Sequence, residues 1–222
     1  MTIALPRMVR VPVAERGLTI ADFLVPIRVG ERMSSRARHV ALILAGALFI
    51  ALCARLEIRL PGNPVPITAQ TFGVLLVGGS LGFRRGLMAT ILYVLLGFAL
   101  PVYAGGASGV GQLLAIRSGA VVLGATGGYL IGFVVAGALV GRLAELGWDR
   151  RIGGALAAML IGNAVIYLFG VPWLMAAAHL DLATGLATGL TPFVATDAAK
   201  LVLAGAAFPI AWWVVGRRPN ER

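Results

Sequence analysis

Residues 40–54 read VALILAGALFIALCA, fifteen consecutive positions without a charge, set between Arg38-His39 on one side and Arg55 on the other. At a helical rise of about 1.5 Å per residue, such a run crosses most of the roughly 30 Å hydrocarbon layer of a bilayer. A helix apolar on every face belongs either in a buried core or in a membrane. Composition decides between the two: 59% of the 222 residues are hydrophobic, 13% are charged, and the mean hydropathy is +0.91, outside the range of ordinary soluble domains. The run is therefore read as a membrane span.

Five further segments share its character, over residues 68–82, 86–100, 124–143, 152–169 and 192–215. Together they predict an all-α integral membrane protein, a compact bundle of six transmembrane helices. The second and third segments are short, which predicts tilting or shielding by neighbours. The 30 glycines are interleaved with Leu, Val, Ile and Ala rather than collected in a low-complexity tract, as where small residues let helices approach closely.

A net charge of +10 in a soluble protein would suggest a nucleic-acid partner; here the placement of the charges points to topology instead. With six spans and the N-terminus inside, fifteen arginines fall on the inner side, among them Arg84, Arg85, Arg142, Arg150, Arg151, Arg217, Arg218 and Arg222. Only Arg55, Arg59 and Arg117 fall outside, the asymmetry that the positive-inside rule demands. Both termini are predicted to be cytoplasmic. Residues 1–38 are read as a basic cytoplasmic tail on or near anionic lipid, or as a poorly ordered tail that only orients the chain. Residues 39–216 form the membrane domain and 217–222 a short cytoplasmic tail. The lone Cys53, in an apolar run, excludes an internal disulfide and a cysteine-rich metal site.

The last span carries the most informative polar residues, in Thr191-Pro192-Phe193-Val194-Ala195-Thr196-Asp197-Ala198-Ala199-Lys200. Lys200 is the only lysine of the chain, and Asp197, three residues earlier, shares its helix face. An ionisable group inside a span costs about 2.5–3.5 kcal/mol on insertion scales, so it normally faces the protein interior and marks a site. A structural ion pair, or a lysine reaching toward the interface, is the alternative. As a site, the pair suits a ligand with a carboxylate and neutral N–H or C=O groups, because the ammonium donates and the carboxylate accepts.

Three outer loops flank the spans. The first contains Pro61, Pro64 and Pro66, which deny a helix and predict a rigid cap ahead of the second span. The second runs from Pro101 to about Ala125, long enough in a compact bundle to suggest function. It leads from Tyr103 through Gly105 and Gly106 to Thr126, Gly127, Gly128 and Tyr129. Its glycines expose backbone N–H groups and its tyrosines offer apolar faces with polar tips. No Gly-Lys-Ser/Thr follows, so it is not a nucleotide loop. The third, around Trp173 to Gly189, is mildly amphipathic and is expected to lie over the bundle.

Gln70, at the head of the second span, and Asn163 with Tyr167, four apart in the fifth, are explained equally by ligand contact and by interhelical hydrogen bonds. His39 and His179 stand far apart at span edges, where metal ligation is not expected. In the first span, Ala41 with Ala45 and Ala47 with Ala51 give small-xxx-small spacing for close packing, either within the chain or against a partner. No metalloprotease motif, Ser/His/Asp set or paired carboxylates are present, so an enzyme is not expected.

Four motifs occur in order: Pro64-Val65-Pro66-Ile67-Thr68-Ala69-Gln70-Thr71, Leu100-Pro101-Val102-Tyr103-Ala104-Gly105-Gly106, Ala125-Thr126-Gly127-Gly128-Tyr129, and Asp197-x-x-Lys200. Together, across residues 40–215, the chain resembles the BioY family, the biotin-specific S components of energy-coupling factor transporters. It departs from the family pattern at Ala125, where proline is usual, and in a longer stretch from Gln112 to Leu123. The resemblance implies a bacterial plasma-membrane subunit that captures biotin from outside, in a pocket roofed by the first two outer loops. It implies partners, a transmembrane T component and two ATP-binding subunits that hydrolyse the ATP. No cofactor is implied, biotin being the transported ligand. The substrate-binding residues it points to are Asp197, Lys200, Tyr103, Gly106, Thr126, Gly127, Tyr129, Gln70 and Asn163. The alanine face Ala41, Ala45, Ala47 and Ala51 resembles the family's docking surface. An S component for another vitamin such as thiamin, or a structural membrane subunit without a ligand, are the alternative readings.

Overall fold

The computed structural model describes residues 19–24, 34–117 and 120–216. The arginines of residues 1–18, 25–33 and 217–222 that entered the topological argument lie outside the described residues. The apolar runs become helices α1 (Ile20–Leu24), α2 (Ser35–Arg55), α3 (Gln70–Ala99), α4 (Gly127–Glu145), α5 (Ile152–Ala178), α6 (Leu182–Gly189) and α7 (Thr191–Gly216). Two small antiparallel ribbons join them, β1 (Glu57–Ile58) with β2 (Ile67–Thr68), and β3 (Leu114–Arg117) with β4 (Ala120–Leu123).

Five of these helices are long and apolar enough to cross a membrane, yet the described residues cross the bundle six times, because α3 is a hairpin. Its halves, 70–81 and 83–99, meet at Gly82, whose φ of 81° and ψ of 179° only glycine adopts readily. Antiparallel return is evident in the pairs it brings together. Gln70 donates to the hydroxyl of Tyr93, and a side-chain carbon at Gly86 would touch the main chain of Gly78. The expected second and third spans are thus present, separated by a one-residue turn rather than a polar loop. Beyond the turn, Glu145 of α4 accepts from the N–H of Phe83 at 2.9 Å and closes it.

α4 is the central helix: 61% of its most apolar window is buried, against 28–33% in the others. Glycine permits that position, since a β-carbon at Gly78 would lie 2.5 Å from the carbonyl oxygen of Gly137. Around α4 stand α3 and α5, with α2 outside α3 and α7 closing the bundle against α5 and α3. The core is filled by Ile50, Val74, Leu75, Tyr93, Val140, Met159, Ile166, Leu174 and Phe208.

α5 continues past its expected end at Phe169 to Ala178, through Pro172. A proline is tolerated in a membrane helix when neighbours satisfy the freed backbone. α6 then lies over the bundle, started by Asp181 accepting from the N–H of Thr184 at 3.0 Å. It is the element expected between Trp173 and Gly189.

Part of the N-terminal segment packs on the arginine-rich end. Thr19, Ile20 and Ala21 are buried against α3 and α7. Asp22 receives both ends of the Arg85 guanidinium at 2.8 Å and that of Arg38 at 3.0 Å. Residues 19–24 are thus a docked strap within the stretch read as a tail. The Arg85 guanidinium and the N–H and hydroxyl of Thr19 outweigh the burial of Asp22 and hold its carboxyl low, at about 2.

Candidate ligand site

At the opposite end, a cavity of about 190 Å³ opens among the outer loops and the ends of α3, α4, α5 and α7. The first loop contributes Pro64, Val65 and Pro66 as a rigid wall, and Asn63 braces it by donating to the carbonyl of Thr188 at 3.0 Å. The second contributes Tyr103, Ala104, Ala107 and Gln112. Tyr129, Leu130 and Phe133 of α4, Tyr167 of α5, and Phe193 of α7 supply an aromatic and apolar side. Tyr129 and Tyr167 meet edge to face with centroids 6.4 Å apart, and Phe193 packs on Tyr167 at 6.3 Å.

The tyrosines are held by their hydroxyls so that their rings face inward. Tyr129 donates to the carbonyl of Gly189 at 2.8 Å, and Tyr103 to that of Val94 at 2.6 Å. Burial pushes the phenol of Tyr103, in the loop, up to about 12, so it is neutral at any physiological pH.

The charged pair lies at the inner wall. Lys200 lines the cavity, and Asp197, 3% exposed, lies behind it. The ammonium donates to Asp197 Oδ1 at 2.8 Å and to the main-chain carbonyl of Thr68 at 2.6 Å, with Thr71 Oγ1 at 3.4 Å. The second carboxylate oxygen of Asp197 accepts from the hydroxyl of Tyr167. Asp197 therefore orients two cavity-lining groups, Lys200 and Tyr167, from a shielded position.

Gln70, Thr126, Tyr103 and Tyr129 also line the cavity. Gln70 is held between Thr68 and Tyr93, and Thr126 donates to Gln112 Oε1 at 3.1 Å. Gly106, Gly127 and Asn163 stand outside the lining. A β-carbon at Gly106 would meet Arg55, and one at Gly127 would meet the Trp173 ring, so these glycines serve close packing around the cavity. Asn163 is buried in a tight crevice beside Asp197 and Lys200, its Oδ1 without a hydrogen-bond partner among the described residues. The four alanines of α2 divide: Ala41 and Ala45 are exposed, Ala51 is half-buried, and Ala47 is fully buried in the core. Positions 45 and 47 are about 200° apart around a helix, so one face cannot hold all four.

Arg59, Gln112, Phe193 and the Thr68–Thr71 pair were not singled out by sequence. The threonines lie within the proline motif and carry a signal of position only. Arg59, paired with Glu57 at 2.9 Å, reaches the rim through a loop whose course is set by distant contacts. Among the described residues no group of three or more His, Cys, Asp or Glu is placed to hold a metal ion.

Comparison with known proteins bears on this arrangement. The model of the BioY family matches residues 30–217. The biotin transporter BioY2 of Lactococcus lactis is 35% identical over 172 residues, 77% of this chain and 87% of that protein. The biotin transporter BioY of Thermotoga maritima is 38% identical over 165 residues, 73% of this chain and 90% of its own length. A crystal structure of the S-component for biotin from an ECF-type ABC transporter superposes with a TM-score of 0.70 and 25% identity, over 82% of this chain and 95% of that one.

Proposed function

This chain belongs to the BioY family, and from that premise we propose that it binds biotin in the cavity between its outer loops and acts as the S component of an energy-coupling factor transporter. The observation that carries the reading is the joining of Lys200, Tyr167 and an aromatic wall in one cavity of this family's bundle.

Biotin is an elongated molecule with a ureido ring, an apolar thiophane ring and chain, and a carboxylate. The cavity offers two sets of polar groups beside its apolar lining. Lys200, Tyr167, Thr68 and Thr71 stand at the inner wall, and Arg59 and Gln112 stand at the rim. Rings and aliphatic segments fit between Tyr129, Phe133, Tyr167 and Phe193, where burial of apolar surface contributes about 25 cal/mol per Å². Charge-assisted hydrogen bonds supply orientation at the ends.

In this reading the cavity end faces outward, since the opposite end carries Arg84, Arg85, Arg142, Arg150 and Arg151. The membrane is the bacterial plasma membrane. ATP hydrolysis belongs to two partner subunits, and a transmembrane T component links them to this chain. The exposed alanines Ala41 and Ala45 of α2 are assigned to that docking, because small side chains permit close helix approach.

Titration of the purified protein with biotin tests the reading: saturable binding is expected, and its absence at millimolar biotin sinks it. For docking, Ala41→Trp and Ala45→Trp should reduce co-purification with a T component while leaving biotin binding intact. Full retention of the partner by both variants would refute the assignment of that face.

A further inference from the structure

The ribbon formed by β3 and β4 rises from the second outer loop, between Gln112 and Gly124. Its sequence, Leu114-Ala115-Ile116-Arg117 and Ala120-Val121-Val122-Leu123, holds one charge in eight positions. Register sets Leu114 opposite Leu123, and Val121, two residues before Leu123, shares their face of the ribbon. Leu114 is 43% exposed and Val121 68%, and Val110, before the ribbon, is 51% exposed. A two-stranded ribbon is marginal alone in water, and an exposed apolar face marks a contact surface.

The position of the ribbon identifies the contact. β4 packs beside α5, and at the ribbon's foot Trp173 of α5 donates its indole N–H to the carbonyl of Gly124 at 2.8 Å. One turn before Trp173 and on the same side of α5, Phe169 is 38% exposed, as membrane-spanning helices present side chains to lipid. The apolar surface of the ribbon continues that lipid-facing belt at its edge. Depth is limited from the other side: among the described residues the ribbon has no third strand, so its outer N–H and C=O groups keep it out of the hydrocarbon core.

We propose that the β3–β4 ribbon is a membrane-interface anchor, whose Leu114 and Val121 face rests at the boundary between headgroups and acyl chains of the outer leaflet. Its foot is joined to the cavity rim. Gln112 lines the cavity and accepts from Thr126, and Gly124 closes the loop by donating to the carbonyl of Leu113 at 2.8 Å. The anchor thereby fixes one side of the roof relative to the lipid surface. The partner is the lipid itself, and the inference holds whichever ligand occupies the cavity.

The test uses the full chain in phosphatidylcholine–phosphatidylglycerol nanodiscs, with Cys53→Ala removing the native thiol. A nitroxide at Val121→Cys is compared with one at Leu168→Cys, facing lipid, and one at exposed Ser108→Cys, facing water. The expected result is a Val121 label favouring oxygen over aqueous nickel chelate to a degree between the two references. Accessibility to the chelate equal to that of Ser108 overturns the proposal, as does shielding from both reagents, which would signify a protein contact. Independently, the emission that Val121→Trp adds to that of the four native tryptophans should fall at least two-fold in vesicles of brominated phosphatidylcholine; an added emission that brominated lipid leaves unchanged rejects the anchor.

Discussion

Lys200 of α7 donates at 2.6 Å to the main-chain carbonyl of Thr68, the residue that ends β2 just before α3 begins. One side chain thus ties the last helix to the chain entering α3, and its charge is balanced only by Asp197 at 2.8 Å among the described residues. Removing one partner leaves a buried charge alone, which costs roughly 3–5 kcal/mol, whereas removing both leaves no unpaired charge. Asp197→Asn is therefore expected to lower thermal stability in detergent markedly, and Asp197→Asn combined with Lys200→Met to recover most of it. Neither variant should bind biotin at wild-type affinity. A double variant no more stable than the single one would contradict this account of the pair.

Tyr167 contributes a ring to the cavity and a hydroxyl to Asp197. Tyr167→Phe separates these roles by keeping the ring. Loss of one hydrogen bond to a charged acceptor is worth about 1.5–3 kcal/mol, roughly a 10- to 150-fold weaker dissociation constant if the bond serves the bound state alone. The empty site also holds the bond, so calorimetric titration should show a loss smaller than that range. Tyr167→Ala, which removes the wall as well, should lose more. Equal affinities for the two variants would show that the ring contributes nothing.

The bundle was legible in the sequence because charge-free runs of adequate length have few alternatives in a chain so apolar. The break between the second and third spans was legible as well, because Arg84 and Arg85 interrupt the apolar run; its form was not, since a turn made by one glycine with φ 81° leaves little trace among 30 glycines. In the site, Asp197 and Lys200 stood out as ionisable groups within a span. Their shielded arrangement did not, because Thr68 and Thr71 approach only after α3 and α7 pack. Arg59 and Gln112 come from loops, where no periodicity reports direction. Asp22 went unread, since an acid in a basic segment acquires meaning only from Arg85, which lies 63 residues away.

Asp149, in the turn between α4 and α5, is 2% exposed, and its Oδ2 accepts from the indole of Trp212 at 2.7 Å. Burial raises its carboxyl to about 6, against the smaller opposing effects of Trp212 and the Arg150 charge. A carboxyl raised in the fold is more easily protonated there than in the unfolded chain. Its contribution is therefore fully present below pH 3.8 and is lost as pH rises through about 6. Between about pH 5 and pH 7 wild type should lose on the order of 1 kcal/mol that Asp149→Asn does not lose, the amide retaining an acceptor for Trp212. Unfolding followed against pH for both proteins checks this; parallel curves would mean that Asp149 is already solvated.

Asp22 should behave in the opposite sense. Its carboxyl is held at about 2 against an ordinary 3.8, so its stabilising effect is present above pH 3.8 and is lost as pH falls toward 2. The side chain is 18% exposed and Arg85 13%, which places the fork of two 2.8 Å bonds well inside the surface and makes a contribution of about 2 kcal/mol reasonable. Asp22→Asn keeps the shape and removes the charge, leaving Arg85 and Arg38 facing one another across the site. Thermal stability at neutral pH should fall by about that amount, and the difference from wild type should shrink near pH 3. Biotin binding should be unaffected, since the cavity lies at the opposite end of the bundle. The matched family model begins at residue 30, after the strap. Deleting residues 1–24 should reproduce the loss seen in Asp22→Asn; a deletion without effect on stability would show that the docked segment rides on the bundle without holding it.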